Sequence, residues 1–367
     1  MKLPSLEKPT LLIDPLRVKN NIQRMAEKAR RQNVRFRPHF KTHQSAHIGE
    51  WFREQGVSAI TVSSVDMAVY FANAGWQDIT IAFPVNWRQV EKLRSLAQSI
   101  RLGVLVESLD SAQWLEQNLE ATVEVWIEID EGSGRSGIAW DDPQTVLRLA
   151  EYIHKSTHHH LVGLLTHSGR IYASGSVEQI TQVYSQTVQR MNQVRDFLIA
   201  QKLASLEVSI GDTPGCSLVS DLGKVDEIRP GNFVFYDAQQ LRLSSCQPGD
   251  IGVVLACPVV AKYPARSEAV IYGGAIHLSK DTVLEQGKPV YGLVASPTEA
   301  GWGAPVPGGA VVRLSQEHGV AHLLEPFFSQ VSVGDMLLII PAHVCLSVSA
   351  LSEYHTLEGE IITAFHG

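Results

Sequence analysis

Apolar residues along the first two thirds of the chain recur with two spacings in turn. Short β-branched and apolar runs stand at 59–63, 79–83, 101–106, 123–130, 161–167, 206–211 and 228–236. Between them, at 65–74, 87–97, 143–154 and 177–200, apolar positions follow helical spacing. A further strand is expected over 34–43. Before it, Thr10-Leu11-Leu12-Ile13 makes a short strand. Asp14 then caps a helix with Pro15 at its first position, and Val18, Ile22, Met25, Ala26 and Ala29 form its inward face until about Asn33. About eight strands alternating with helices predict an α/β fold, a (β/α)8 barrel over residues 14–240. A doubly wound open sheet competes, but no G-x-G-x-x-G follows the first strand.

From about Leu241 the rhythm changes. Gln247-Pro248-Gly249-Asp250 and Ser332-Val333-Gly334-Asp335 are turns that lead into β-branched runs, and no long amphipathic helix is visible. Residues 241–367 therefore form a mostly β domain, with residues 1–13 expected to pack with it.

Composition narrows the function classes. The chain has 367 residues, 44% hydrophobic and 19% charged, with a formal net charge of −7. Without a global basic field, a nucleic-acid partner is not expected. Met1 to Pro9 has no signal-peptide core, and the longest apolar run, 251–261, is too short for a bilayer and contains Pro258. A soluble, cytoplasmic protein with no membrane partner is expected. The four cysteines, Cys216, Cys246, Cys257 and Cys345, show no disulfide-framework spacing and fit a reducing compartment.

In a barrel, working residues sit at the carboxyl ends of strands. If the strand over 34–43 runs on, Arg37, His39, Lys41 and His43 share one face. That face is either a solvated basic strand end or a buried one with an anion beside it. In the buried case Lys41 becomes an amine nucleophile tuned by its cationic neighbours. Arg135 lies in the glycine-rich loop 130–137. His167-Ser168-Gly169 ends another strand, with Tyr172 just beyond. Gly211-Asp212-Thr213-Pro214-Gly215 and Arg229-Pro230-Gly231-Asn232 are each ordinary turns taken singly. On adjacent strands they suit a phosphorylated ligand, through backbone N–H groups and the Thr213 hydroxyl. His343-Val344-Cys345 follows a strand at 336–340. Read as extended chain, residues two apart point the same way and hold one metal; a packed cysteine beside a histidine is the other reading. His158-His159-His160 reads as a solvated loop.

These residues together resemble a known family. Arg-Pro-His-Phe-Lys-Thr-His, Gly-x-x-Arg-x-Gly, His-Ser-Gly then Tyr, Thr-Pro, Pro-Gly-Asn-Phe-Val-Phe-Tyr-Asp and His-x-Cys occur in that order. The set is similar to the D-serine dehydratase and D-threonine aldolase family of pyridoxal-phosphate enzymes, which share the alanine racemase type of barrel with a C-terminal β domain. The resemblance implies that Lys41 forms the Schiff base with the cofactor aldehyde. It implies that Arg135 lies near the cofactor's phenolic oxygen or the substrate carboxylate. His39 and His167 would border the cofactor, and Tyr172, Thr213, Gly231 and Asn232 would hold it, chiefly by its phosphate. His343 and Cys345 would bind a divalent metal, zinc being favoured by the thiolate. In the aldolase branch the second ligand is usually an aspartate, so Cys345 tilts the resemblance toward the dehydratases and a D-3-hydroxy amino acid as substrate, with a metal-dependent D-threonine aldolase or a non-catalytic pyridoxal-phosphate-binding protein as the alternatives. A homodimer is the expected assembly. Two positions depart from the family: Asp212 stands where a small neutral residue is usual and is expected to point away from the phosphate, and Arg170 follows His167-Ser168-Gly169.

Overall fold

The computed structural model describes residues 6–203 and 205–366. Thr10–Ile13 (β1) is apolar and buried along its length. Asp14 Oδ1 accepts the N–H of Arg17 at 3.1 Å, and Pro15, with no N–H to satisfy, opens the helix Pro15–Arg31. The barrel strands are Arg35–Phe36 (β2), Ile60–Val62 (β3), Asp78–Pro84 (β4), Arg101–Val106 (β5), Val123–Asp130 (β6), His159–His167 (β8), Glu207–Gly211 (β9) and Glu227–Ile228 (β10), while Ile138–Ala139 (β7) pairs only with β6. Their spatial order is β2-β10-β9-β8-β6-β5-β4-β3, every pair parallel. The ends meet where His39 bridges Thr61: the Phe40 N–H donates to Thr61 O at 2.8 Å and the Thr61 N–H to Pro38 O at 2.9 Å. Eight strands thereby close a barrel, and Leu105, Trp126 and Leu165 form a buried cluster in it.

Two helices match the expected bounds, because their caps are written in the sequence. Asp142 accepts from Thr145 N ahead of Pro143–His154, and Ser176 accepts from Gln179 N ahead of Val177–Ala200.

Other elements differ. The strand expected over 34–43 ends at Phe36, because Pro38 lacks the N–H a ladder needs. Pro230 likewise cuts the strand expected over 228–236 to β10, and Asn232–Val234 is a turn of 3₁₀ helix. The His158–160 run is not a solvated loop: β8 begins at His159, which is buried with Nε2 3.8 Å from Glu116 Oε2. Burial lowers the pKa of this imidazole. Helices at Ala46–Arg53, Leu109–Asn118 and Thr213–Leu218 were not expected.

By internal contacts the chain falls into two compact units. One holds Arg24–Lys41 and Phe52–Gly231; the other holds the described residues up to Gln23, Thr42–Trp51 and Asn232–His366. In the second unit Val253–Tyr263 pairs antiparallel with β1, Glu268–Tyr272 and Met336–Pro341. The path from Glu268–Tyr272 through His318–His322, Gly301–Leu314, Gly292–Thr298 and Met336–Pro341 returns to Val253–Tyr263, so these strands close a second, antiparallel barrel. Its helices are short, Val344–Leu351 being the longest that starts beyond Asn232 among the described residues. No helix among the described residues is long and apolar enough to cross a membrane.

Candidate active site

The two ends of the parallel barrel carry different chemistry. The amino ends of β2, β4, β9 and β10 hold a buried ion network. Glu227 Oε2 accepts from Arg37 Nε at 2.7 Å and from Arg35 Nε at 2.6 Å. Arg37 also pairs with Asp78, and Arg35 with Glu207. Burial alone would raise the Glu227 carboxyl, but Arg37 and Arg35 overcome it and hold the pKa below its usual value. The basic strand face therefore divides. Arg37 is neutralised by carboxylates of its own barrel and needs no external anion.

The carboxyl ends surround a cavity of about 350 Å³. His39, Lys41, Glu128, Arg135, His167 and Arg229 line it, with Ser63, Phe83 and Leu165 among its walls. Four residues singled out in the sequence thus meet here: His39, Lys41, Arg135 and His167. The Lys41 N–H donates to His39 Nδ1 at 3.3 Å, which makes Nδ1 the unprotonated nitrogen. His167 Nδ1 lies 2.5 Å from Gly211 O and must donate there, leaving Nε2 as an acceptor. Both imidazoles are held neutral. Burial, then the charges of Lys41 and Arg229, drive His39 well below its ordinary pKa. Enclosure, then Lys41 and Arg135, bring His167 to about 3.

Arg135 projects from a loop that its own strand end pins. Asp130 Oδ1 accepts the N–H groups of Gly132, Ser133 and Gly134 at 2.9, 2.8 and 3.1 Å. Gly137 closes the loop at φ +101°, where a Cβ would meet Asp130 N at 2.8 Å. Arg170 donates from Nε to the buried Glu131 Oε2 at 2.7 Å, so it braces this loop from the next strand end.

Tyr172 tilts over His167 with ring centroids 5.9 Å apart, and its hydroxyl lies 3.5 Å from Thr213 N. Gly231 sits in the turn whose Pro230 O accepts the His39 N–H at 2.9 Å. Asp212 is buried. It turns onto the helix Thr213–Leu218, and its Oδ1 accepts the Gly215 N–H at 2.5 Å. Burial raises its carboxyl to about 7.

Sequence reasoning missed Glu128 and named Arg229 only as part of its turn, though both line the cavity. Glu128 faces inward from β6; its Oε1 accepts from Ser136 Oγ at 2.8 Å and lies 3.7 Å from Arg135. Burial raises its pKa against that hydrogen bond. Arg229 is held by Ser209 Oγ at 2.7 Å and Thr166 O at 2.5 Å, and burial lowers it to about 10. The signal for both was a charged residue inside a buried strand or just after one.

His343, Cys345 and Asn232 belong to the other unit. The extended-chain argument for His343 and Cys345 does not hold, because His343 is the N-cap of the helix Val344–Leu351 and Cys345 lies in its first turn. The turn brings them together instead. Cys345 raises the His343 imidazole to about 11, aided by Asp237 against burial. Cys345 Sγ also lies 3.3 Å from the hydroxyl of Thr42, the residue after Lys41 in the chain. Among the described residues, no group of three or more metal-ligating side chains gathers. An imidazole and a thiol form a donor set that fits zinc, with the rest of its shell left to water or substrate.

The alanine racemase N-terminal domain matches residues 13–239, and a putative serine dehydratase domain matches residues 252–357. The chain belongs to the alanine racemase N-terminal domain family. Within it, a D-threo-3-hydroxyaspartate dehydratase from Delftia sp. is 29% identical over 98% of this chain and 96% of its own. A D-serine dehydratase from Dictyostelium discoideum gives the same identity and coverage. A D-threonine aldolase from Arthrobacter sp. is 25% identical over 93% of this chain and 86% of its own. The solved structure of the Delftia enzyme superposes with a TM-score of 0.89 at 27% identity, covering 99% of this chain and 98% of that one. A cysteine-to-alanine variant of a D-threo-3-hydroxyaspartate dehydratase, solved in a metal-free form, superposes with a TM-score of 0.89 at 26% identity, covering 99% of this chain and 98% of that one. The fold of this family, an alanine racemase-type barrel with a second, antiparallel barrel domain, is the fold of this chain.

Proposed function

We propose that the chain is a pyridoxal-phosphate-dependent lyase that removes the β-hydroxyl of a D-3-hydroxy amino acid such as D-serine, giving a keto acid and ammonia. The observation that carries this reading is the place of Lys41. Its side chain lines a cavity at the barrel mouth, between two imidazoles held neutral and beside two guanidinium groups. Such a donor set suits an anionic ligand, and the cavity volume lies within the range of small-molecule sites.

Pyridoxal phosphate, when bound, supplies an electron sink that makes the substrate Cα–H acidic. Lys41 would take the Cα proton as the β-hydroxyl leaves. Arg135 faces an anionic oxygen of cofactor or substrate. Tyr172, Thr213 and Gly231 are the groups we assign to the phosphate, with Asn232 through its backbone N–H, its side chain being engaged by Asp237. His343 and Cys345 would hold zinc, whose Lewis acidity makes the β-hydroxyl a better leaving group. A homodimer in the cytoplasm completes the reading.

The test is a product assay with added cofactor and zinc on D-serine, D-threonine and D-3-hydroxyaspartate, with and without a chelator. Keto acid and ammonia are expected, lost on chelation and lowered by about 10²–10⁴-fold in Lys41→Ala. The aldolase relative supports a second reading, a retro-aldol cleavage, which glycine plus an aldehyde from D-threonine would establish. No product from any of the three would sink both.

A further inference from the structure

Asp237 is fully buried, at 0% exposure, and has no role in the reaction described so far. Its two oxygens face different tasks. Oδ1 accepts the Gln240 N–H at 3.0 Å and caps the helix Ala238–Arg242. A cap requires no more than that. Oδ2 accepts Asn232 Nδ2 at 2.6 Å and the Val344 N–H at 3.2 Å, and it lies 3.3 Å from His343 Nδ1. Val344 is the residue between His343 and Cys345. One carboxylate oxygen therefore holds the backbone that joins the two candidate ligands and lies within ion-pair distance of the ring of one of them.

We propose that Asp237 is the positioning residue of the metal pair: it orients His343 through Nδ1 and leaves Nε2 to bind a divalent cation beside the Cys345 sulfur. The inference rests on the metal reading above and adds to it a residue and a tautomer. Two physical arguments support it. A ligating histidine is held in plane and made more basic when its other N–H meets a carboxylate. Charge balance points the same way. A divalent cation on one thiolate keeps a net single positive charge, costly in a buried place, and the Asp237 carboxylate cancels it. Asn232 fits this arrangement as the group that fixes Oδ2.

The full-length, cofactor-loaded protein and its Asp237→Asn and Asp237→Ser variants are titrated with zinc in competition with a chromophoric chelator. Both variants keep an acceptor for the Gln240 N–H, so the cap survives. Zinc affinity is expected to fall about 10–100-fold in variants that stay folded by circular dichroism, with cofactor absorbance at the wild-type value. Wild-type zinc affinity in either folded variant overturns the proposal and leaves the metal reading standing. A wild-type protein that takes up cofactor but no zinc overturns both.

Discussion

Single side chains here are tuned by enclosure more than by partners. His43 is the simplest case. It is fully buried, its Nδ1 accepts the Ser45 N–H at 3.1 Å, and burial brings it to about 3 from an ordinary 6.5. The folded chain refuses a proton that the unfolded chain accepts below about pH 6.5. Stability linked to His43 is therefore complete above that pH and is lost as pH falls toward about 3, at up to about 1.4 kcal/mol per pH unit. Urea midpoints measured from pH 7.5 to 5 should fall more steeply in the wild type than in His43→Asn. Equal slopes would mean that His43 does not titrate as its burial requires. The basic face of Arg37, His39, Lys41 and His43 was visible in the sequence, but its resolution was not. Carboxylates at positions 78 and 227 neutralise Arg37, two of the imidazoles are uncharged, and only Lys41 and its neighbours reach the cavity. Those partners stand 41 and 190 residues away from Arg37, and no local pattern announces them.

At the scale of elements, local rules worked wherever the element carried its own punctuation. The helices Pro143–His154 and Val177–Ala200 begin at Asp142-Pro143 and Ser176, and these residues alone place their starts. Rules of period failed where a proline or a cap changed the conformation partway, as at Pro38, at Pro230 and at His343. The strands themselves depend on contacts that sequence does not display. Gly163 in β8 faces Glu207 in β9 so closely that a Cβ would lie 2.1 Å from Glu207 O. Backbone cannot rotate out of the way as a side chain would. Gly163→Ala should cost about 3 kcal/mol or more, read as a lower urea midpoint or a loss of folded yield. An unchanged midpoint would show that the β8–β9 contact has slack.

For the molecule as a whole, the barrel joins a charged floor to a reactive mouth through its own interior. Ser209 Oγ donates to Glu227 Oε1 at 2.7 Å and accepts from Arg229 Nε at the same distance. Glu227 also closes the seam between β2 and β10, so its charge serves shape as well as neutrality. Glu227→Gln should destabilise the protein by roughly 3–5 kcal/mol, because it leaves Arg37 buried with one carboxylate fewer. Reversible urea unfolding checks this, and a loss below about 1 kcal/mol would assign the seam to backbone pairing alone. The order of strands and helices made the barrel legible, and the glycine-rich loops marked its mouth. The roles of Glu128, Arg229 and Asp237 stayed hidden because each acts through a neighbour that only the closed fold supplies.

The cluster of Leu105, Trp126 and Leu165 has an optical consequence. Trp126 is fully enclosed inside the barrel, and Leu165, which packs with it, also lines the cavity. Any chromophore seated at the mouth therefore sits within energy-transfer range of an indole that solvent cannot quench. The protein carries its own lamp beneath its binding site, so occupancy can be followed by emission without a label and without turnover.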